Sequence, residues 1–264
     1  MSFTPHAQSG QSVNHANHDS GICALSIAGF DPSGGAGLLA DIKTFEQCGV
    51  YGLGVVSALT WQNDVEFEAV EWIAAEKILS QVEVLLRRFD IKHIKIGLIE
   101  NKEVLSKVVA YLRDAVSNAV IVFDPIIKAS AGFDFHGDYS NVPEGIFCIT
   151  PNLPEARQML GEEGLEEKLE ALSERVNIYL KGGHTEGSTC TDFLYTSDHT
   201  YAFSNERLPD GEKHGSGCVL SAALTARLAL GYELPDAAEF ANAYVYQFLA
   251  SSPSLLGSHK LITV

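Results

Sequence analysis

A cysteine directly behind a glycine–serine–glycine turn is a residue well placed for chemistry. Residues 213–231 read KHGSGCVLSAALTARLALG, in which Cys218 stands in the first turn of a predicted helix, after Gly215, Ser216 and Gly217. Small residues let backbone amides point at a bound group, and the helix dipole adds positive potential there. Such a position favours the thiolate, so Cys218 is a candidate base. The alternative interpretation is a small buried side chain that packs well.

Three oxygen-bearing side chains are candidate metal ligands. Asp124 ends the apolar stretch VIVFDP, and Asn152 and Glu155 lie in TPNLPEA. Carboxylate and amide oxygens suit Mg²⁺, which keeps several of its waters. Asn152 and Glu155 also fit the beginning of an ordinary helix, with Asn152 as its cap. Asp124 needs a cation or a donor if it is buried, or is a solvated loop charge if it is not.

Two further stretches could contact a phosphate. Lys181, in YLKGGH, ends a predicted strand before two glycines and could act as a point charge on a phosphate, or be a solvated charge. Residues 28–37, AGFDPSGGAG, join a strand to a helix and match neither common nucleotide fingerprint. That stretch is a phosphate cradle or a flexible turn. An anion-binding turn, a base and acidic oxygen ligands together are what phosphoryl transfer requires.

The elements that must position these residues alternate along the chain. Strands such as AVIVFDP are almost continuously apolar, which is typical of a parallel sheet covered on both faces. The alternation predicts one doubly wound α/β domain with a mostly parallel sheet, whose ligands bind beyond the carboxyl ends of the strands. The predicted strands are 22–29, 54–63, 93–99, 119–125, 146–152, 176–184 and 192–196, and the predicted helices are 38–49, 74–89, 102–116, 155–160, 165–174, the segment after Cys218, and 237–249.

Composition narrows the function classes. The chain has 264 residues, with 18 basic against 34 acidic side chains and a net charge of −16. This balance argues against nucleic acid or an anionic membrane surface as partner. Five widely spaced cysteines without a CxxC pair indicate a reduced, cytoplasmic protein. Residues 1–20 are polar and are expected to form a disordered tail before one domain over 21–264, and no stretch is apolar enough for a membrane span.

Taken together, the motifs resemble those of the hydroxymethylpyrimidine/phosphomethylpyrimidine kinases of thiamine biosynthesis, in the ribokinase-like superfamily. The resemblance runs from about Ala24 to Ala250, and its carriers are IAGFDPSGGAGLLADIKTFEQCGVYGLGVVSALTWQN, KIGL, DP, TPNLPEA, LKGGH and HGSGCVLSAAL. It implies ATP-dependent phosphorylation of 4-amino-5-hydroxymethyl-2-methylpyrimidine and of its monophosphate. It further implies ATP and Mg²⁺ as cofactors and a homodimer.

The resemblance also implies a role for each site residue. The base would be Cys218 and the anion hole Gly215, Ser216 and Gly217; the pyrimidine would contact Gly29, Asp41, Gln62, Leu98 and Ile126; ATP would contact Lys181, Gly183 and His214; and the Mg²⁺–phosphate group would contact Asp124, Asn152 and Glu155. Gln62 would read the ring edges by hydrogen bonds. Sugar kinases of the superfamily use an aspartate as base, so a cysteine points to the pyrimidine and pyridoxal branch.

The chain departs from the family pattern at a few positions. Phe30 stands where a small hydroxyl residue is usual and Lys213 where threonine is usual. The lysine after Asp124 is Lys128, two positions early, with Ser130 in its place, in a loop expected to close over the substrate. A pyridoxal kinase on the same scaffold, and a catalytically silent pyrimidine- or nucleotide-binding protein, are the two alternatives.

Overall fold

The computed structural model describes residues 21–127, 135, 142–183, 187–209 and 211–260. The predicted tail (1–20), Lys128 and Ser130 therefore lie outside the described residues. The strands are β1 (Cys23–Phe30), β2 (Tyr51–Gln62), β3 (Phe67–Trp72), β4 (His93–Ile96), β5 (Val120–Phe123), β6 (Cys148–Ile149), β7 (Asn177–Leu180), β8 (Thr189–Tyr195) and β9 (Thr200–Glu206). The helices are α1 (Gly37–Gln47), α2 (Ala75–Leu86), α3 (Lys102–Ala115), α4 (Leu153–Leu160), α5 (Leu165–Ser173), α6 (Ser216–Ala229) and α7 (Leu234–Ala250).

The nine strands form one sheet in the order β3-β2-β1-β4-β5-β6-β7-β8-β9. The six strands from β2 to β7 in that order are parallel, whereas β3, β8 and β9 are antiparallel. The prediction of a single, mostly parallel sheet is confirmed. Parallel strands place their carboxyl ends at one edge, so the loops after β1, β4, β5, β6 and β7 all emerge on the same side.

Helices cover both faces of the sheet. Ile121 and Phe123 of β5 pack into a core with α2, α3, α4 and α5. Val122, between them, packs into a second core with α6 and α7. Because side chains alternate along a strand, the two cores lie on opposite faces. This is the physical reason why the central strands are apolar without interruption.

Sequence patterns missed β3 and β9. In β9 every second residue is exposed, and β3 is half-exposed along its length. Both are outer, antiparallel strands with one face toward water, so neither forms an apolar run. The doubly wound pattern identifies only the strands that are buried on both sides.

Within the described part of the chain, no helix combines the length and the apolar character that a membrane crossing needs.

The packing of the larger core predicts that a substitution there, far from the strand ends, lowers the stability of the protein. Leu105 of α3 is fully buried among the side chains of the larger core. Leu105→Ala is expected to lower the free energy of unfolding by about 2–5 kcal/mol, because a cavity replaces lost contacts. Urea denaturation measures this loss. The matched control is Val84→Ala, whose side chain is exposed and whose effect is expected to stay within about 0.5 kcal/mol. Equal effects of the two substitutions would contradict this packing.

Candidate active site

The carboxyl ends of β5, β6 and β7 bring three predicted site residues together. Asp124 follows β5, Glu155 lies in the first turn of α4 behind β6, and Lys181 follows β7. The Lys181 Nζ lies 2.8 Å from Asp124 Oδ1 and 3.6 Å from Glu155 Oε2. We call these three side chains the strand-end cluster. All three are largely buried, so the interpretation of Asp124 and Lys181 as solvated loop charges is wrong.

Asp124 is held as an ionised acceptor. Besides Lys181, Thr150 Oγ1 donates a hydrogen bond at 3.0 Å and Ser221 Oγ at 3.3 Å. Burial alone would raise the pKa of the Asp124 carboxyl, but the charges of Lys181 and Lys95 outweigh it and lower the pKa. Asp124 therefore stays negative in the interior because donors surround it.

Asn152 and Glu155 form a helix cap and also face the cluster. Asn152 Oδ1 accepts from the Glu155 amide at 2.8 Å, and Glu155 Oε2 accepts from the Asn152 amide at 2.7 Å. This reciprocal pair is a capping box, and the prediction that Asn152 caps the helix is confirmed. Burial raises the pKa of Glu155 to about 7; Lys181 opposes this rise and the negative charge of Asp124 adds to it. The structural and the functional interpretation of Glu155 are thus compatible.

The strand-end cluster fits a magnesium ion by its chemistry. Its two carboxylates converge on one ammonium group, so negative charge exceeds positive charge by one when both are ionised. Mg²⁺ is usually held by one or two carboxylates together with waters and substrate phosphates. Among the described residues no three His, Cys, Asp or Glu side chains gather as a closed metal cage. The donor set suits an ion shared with a phosphate ligand.

The loop after β1 is fixed by one buried carboxylate. Asp31 accepts hydrogen bonds from the Ser33 and Ala36 amides and from His214 Nε2, each at 2.8 Å, and from Ser33 Oγ at 2.9 Å. Burial opposes ionisation, but these donors outweigh it and lower the pKa of Asp31. The loop is therefore an ordered element tied to the turn before α6, and the interpretation as a flexible turn is wrong.

Two glycines allow this close approach. Gly215 has φ of +77°, and a Cβ there would lie 2.1 Å from the Gly35 carbonyl oxygen. Gly37 has φ of +56°, and a Cβ there would lie 2.2 Å from the Gly29 carbonyl oxygen. Only glycine fits where a left-handed backbone meets another main chain at this distance.

The first turn of α6 lies against the strand-end cluster. A Cβ at Gly217 would lie 3.1 Å from Lys181 Nζ and 3.8 Å from Asp124 Oδ2. Helix α6 begins at Ser216, with Gly215 as its cap residue and no side-chain capping bond. The Ser216 amide makes a long hydrogen bond of 3.4 Å to the Lys213 carbonyl. Amides in the first turn of a helix have no acceptor within the helix itself and can bind an anion. The amides of 215–217, Lys181 and two carboxylates thus belong to one site.

Cys218 is buried beneath this turn. The Gly37 amide hydrogen-bonds its sulfur, and burial raises the pKa of the thiol to about 11. Lys95 lowers that pKa, whereas Asp41 and Asp124 raise it further. The expectation that the helix terminus favours the thiolate is therefore wrong for this structure. Desolvation outweighs the helix dipole because the Cys218 residue is only 7 % exposed.

Asp41 lies in a buried ion pair. Its carboxylate accepts from Lys95 Nζ at 2.8 and 2.9 Å and from Ser26 Oγ at 2.6 Å, and Asp41 and Lys95 have no solvent exposure. The pair raises the pKa of Lys95 despite its burial. Both oxygens of Asp41 already have partners within the protein. A contact between Asp41 and a pyrimidine stays a prediction.

The other predicted substrate residues lie around the ends of β1, β2, β4 and β5. Gly29 contacts Leu98, because a Cβ on Gly29 would lie 2.9 Å from Leu98 Cδ2. Gln62 Nε2 donates to Thr60 Oγ1 at 2.8 Å, and Gln62 lines a cleft of about 310 Å³. Ile126 lies two residues after Asp124 and is half-buried. Their contacts with a substrate stay predictions.

Sequence reasoning missed several residues that position the site. Lys95 was visible as a lone lysine within the apolar strand HIKI, since a buried charge needs a partner. Asp192 gave no such signal. It accepts from the Gly182 amide and Tyr179 Oη, both at 2.7 Å, and so fixes the chain directly behind Lys181. On the far side of that loop, Arg207 Nη1 donates to the Gly183 carbonyl at 3.2 Å.

The Asp31 network generates a prediction for stability and its pH dependence. Asp31→Asn is expected to cost about 2–3 kcal/mol at pH 7, since an amide cannot accept from all four donors. The lowered pKa means that the carboxylate stabilises the fold above the ordinary aspartate pKa and loses this effect as pH falls through the folded-state value. The difference from wild type should thus be constant at pH 5–7 and shrink below about pH 4.

Urea unfolding of both proteins between pH 3 and 7 measures this difference. Asp198→Asn, at an exposed position, is the matched control and should change little at any pH. A gap between wild type and Asp31→Asn that persists unchanged in acid would contradict the assignment.

Comparison with known proteins places the chain in a family. Residues 31–263 match the family model described as phosphomethylpyrimidine kinase. A hydroxymethylpyrimidine/phosphomethylpyrimidine kinase of Rhizobium meliloti is 34 % identical over 251 residues, which cover 88 % of this chain and 92 % of that protein.

Solved structures agree in fold. The phosphomethylpyrimidine kinase of Clostridium difficile 630 has a TM-score of 0.71 at 29 % identity, covering 86 % of this chain and 99 % of that one. The pyridoxal kinase of Staphylococcus aureus, solved with AMP-PCP and pyridoxal, has a TM-score of 0.76 at 24 % identity, covering 89 % and 92 %. The fold is therefore ribokinase-like, and the chain is an enzyme of the hydroxymethylpyrimidine/phosphomethylpyrimidine kinase family, a family of phosphotransferases.

Proposed function

We propose that this enzyme transfers the γ-phosphate of ATP to the hydroxymethyl group of 4-amino-5-hydroxymethyl-2-methylpyrimidine and then phosphorylates the monophosphate. One observation carries the proposal beyond family membership. The buried Asp124–Lys181–Glu155 cluster lies against Gly217, one residue before Cys218. A cation, two carboxylates and helix-terminal amides at one point supply the positioning and charge neutralisation on which phosphoryl transfer depends.

The phosphate-binding side is built from main chain and Lys181. The amides of 215–217 would donate to the phosphate oxygens, where charge develops during transfer. Lys181 would add a point charge, and it is oriented because Asp124 fixes its ammonium at 2.8 Å. Asp124 and Glu155 would hold a Mg²⁺ through their carboxylate oxygens, and this ion would supply positive charge that offsets the charge of the phosphates. Asn152 acts on this group through Glu155, whose position it fixes by the capping box.

Cys218 is our candidate for the group that accepts the hydroxymethyl proton at Sγ. The raised thiol pKa has two opposite effects. It makes the thiolate rarer at neutral pH, and it makes that thiolate a stronger base toward an alcohol. The Gly37 amide and the Lys95 ammonium both favour the charged sulfur. Asp41 would then act by positioning Lys95, whether or not Asp41 also contacts the pyrimidine ring.

The ring side of the site suits a flat heterocycle. Leu98 packs against Gly29 so closely that a Cβ on Gly29 would lie 2.9 Å from Leu98 Cδ2, and this contact places an apolar side chain at the ends of β1 and β4. Gln62, at the end of β2, carries an amide that would pair with ring nitrogens and an exocyclic amine. We propose Leu98 and Ile126 as the apolar contacts of the ring.

A pyridoxal kinase is the second candidate. The likeness to the Staphylococcus aureus pyridoxal kinase supports the shared scaffold, and pyridoxal also carries a hydroxymethyl group on an aromatic nitrogen ring. A silent binding protein is the third candidate. The presence of a base candidate and of the complete strand-end cluster argues against it.

Two further features belong to this proposal. We propose a homodimer, and the exposed apolar side chains Leu59, Trp61 and Val65 in and beside β2 support a second copy of the chain as partner. We also propose a cytoplasmic enzyme. All five cysteines are free, which is consistent with a reducing compartment.

The substrate is tested by comparing kcat/KM for the hydroxymethylpyrimidine, its monophosphate and pyridoxal, each with ATP and Mg²⁺. We expect the pyrimidine to exceed pyridoxal by at least about tenfold, equivalent to about 1.4 kcal/mol of transition-state binding. Coupled ADP release measures all three rates. A higher value for pyridoxal would replace the proposed function, and ligand binding without any ADP release would support the silent protein.

The base is tested by a pair of substitutions at Cys218. Cys218→Ala is expected to lower kcat by about 10²–10⁴, the range for general base catalysis, while the affinity for ATP stays within a factor of about three. Cys218→Asp restores a carboxylate base of the kind that the superfamily's sugar kinases use and should recover part of the loss. Near-normal turnover by Cys218→Ala would remove Cys218 as the base.

A further inference from the structure

Two buried side-chain nitrogens without partners belong to consecutive residues just before the anion-binding turn. Four buried side-chain polar atoms within the described residues have no hydrogen-bond partner: Lys213 Nζ, His214 Nδ1, Arg227 Nε and Gln247 Oε1. The guanidinium of Arg227 lies 3.6 Å from the Phe240 ring centroid and so has another kind of partner. Lys213 and His214 are consecutive and directly precede the turn 215–217.

A buried cation without a counter-charge is unfavourable. Lys213 is 5 % exposed, and its Nζ forms neither a hydrogen bond nor an ion pair with any part of the chain that the structure describes. Removing an ammonium from water costs free energy that only an anion or acceptors offset. A lysine on a loose loop would turn outward to avoid this cost.

The backbone that carries Lys213 is not loose. The His214 amide donates to the Leu255 carbonyl at 2.9 Å, and His214 Nε2 lies 2.8 Å from Asp31 Oδ2. Gly215 packs against the Gly35 carbonyl, and a Cβ on Gly35 would lie 2.7 Å from Leu256. The loop after β1 and the segment around Leu255 therefore fix both residues in place.

We propose that Lys213 is a second cation for the phosphate of a bound ligand, in addition to Lys181. This inference rests on the proposed function and extends it to the turn before α6. His214 Nε2 lies 2.8 Å from Asp31 Oδ2, so Nδ1 is the ring nitrogen left without a partner, and a ligand hydroxyl or amine can form a hydrogen bond with it. A nucleotide offers phosphate and hydroxyl groups on one molecule, whereas the monophosphate of the pyrimidine offers phosphate and a ring amine. We favour the nucleotide because the amides of 215–217, assigned to its phosphates, follow directly.

Lys213→Met tests the proposal by binding rather than by turnover. We expect the Kd for ATP to rise about tenfold, with no change beyond about twofold for adenosine, which lacks phosphates. The thermal midpoint without ligand should stay equal or rise, because the substitution removes an unpaired buried charge. Titration calorimetry and thermal scanning give the two results.

Matched control variants distinguish the effect of the Lys213 charge at its buried position from a general loss of positive charge and from a change in packing. Lys77→Met removes the same charge from an exposed position on α2 and should leave both measurements unchanged. Lys213→Gln keeps a polar side chain and repeats the test if the methionine variant does not fold. A structural role for Lys213 would instead lower the thermal midpoint and weaken ATP and adenosine alike.

The outcomes decide between the sources of phosphate. Unchanged ATP affinity in both Lys213 variants would overturn the proposal that Lys213 binds the nucleotide. A tenfold loss of affinity for the pyrimidine monophosphate alone would mean that Lys213 binds the phosphate of that substrate instead. A wild-type protein that binds ATP without phosphorylating the pyrimidine would refute the proposed function, and the ATP titrations would still test Lys213.

Discussion

The ion pair between Lys181 and Asp124 is the interaction on which the site depends. It joins the loops behind β5 and β7, two strands separated in the sheet by β6, and it holds an ammonium beside the turn that begins α6. A buried pair of this kind is stable only when its remaining oxygens have donors. Thr150 and Ser221 supply them. The arrangement leaves Glu155 as excess negative charge, and a site of that charge suits a metal–phosphate ligand.

A second buried carboxylate fixes the opposite wall. Asp31 ties the loop after β1 to His214 and thereby to the turn 215–217, although 183 positions separate the two residues in sequence. Glycines at 37 and 215 remove the side chains that would keep these main chains apart. The site is therefore rigid where phosphate is expected to bind. Among the residues of this wall that the structure describes, Lys213 Nζ and His214 Nδ1 are buried without a hydrogen-bond partner.

The sequence predicted most of the fold because the central strands are buried on both faces. Their continuous apolar runs and the amphipathic helices between them leave little choice of architecture. The outer strands β3 and β9 escaped prediction, since one exposed face breaks the apolar run. Of the site, Asp124, Glu155 and Lys181 were predictable from their places at strand ends. Asp192 and Thr150 were not, because a single polar residue within or just after an ordinary strand carries no local pattern.

The sequence by itself determined the family, the order of elements and the residue types available for chemistry. Only the tertiary structure decided their chemical states. The helix terminus at Cys218 predicted a favoured thiolate, yet burial raises the pKa of that thiol to about 11. Asp41 stood at a ligand position, yet Lys95 and Ser26 occupy its oxygens. Desolvation and pairing depend on neighbours distant in the chain, so the residue list of a site is readable from sequence whereas its charges are set by the fold.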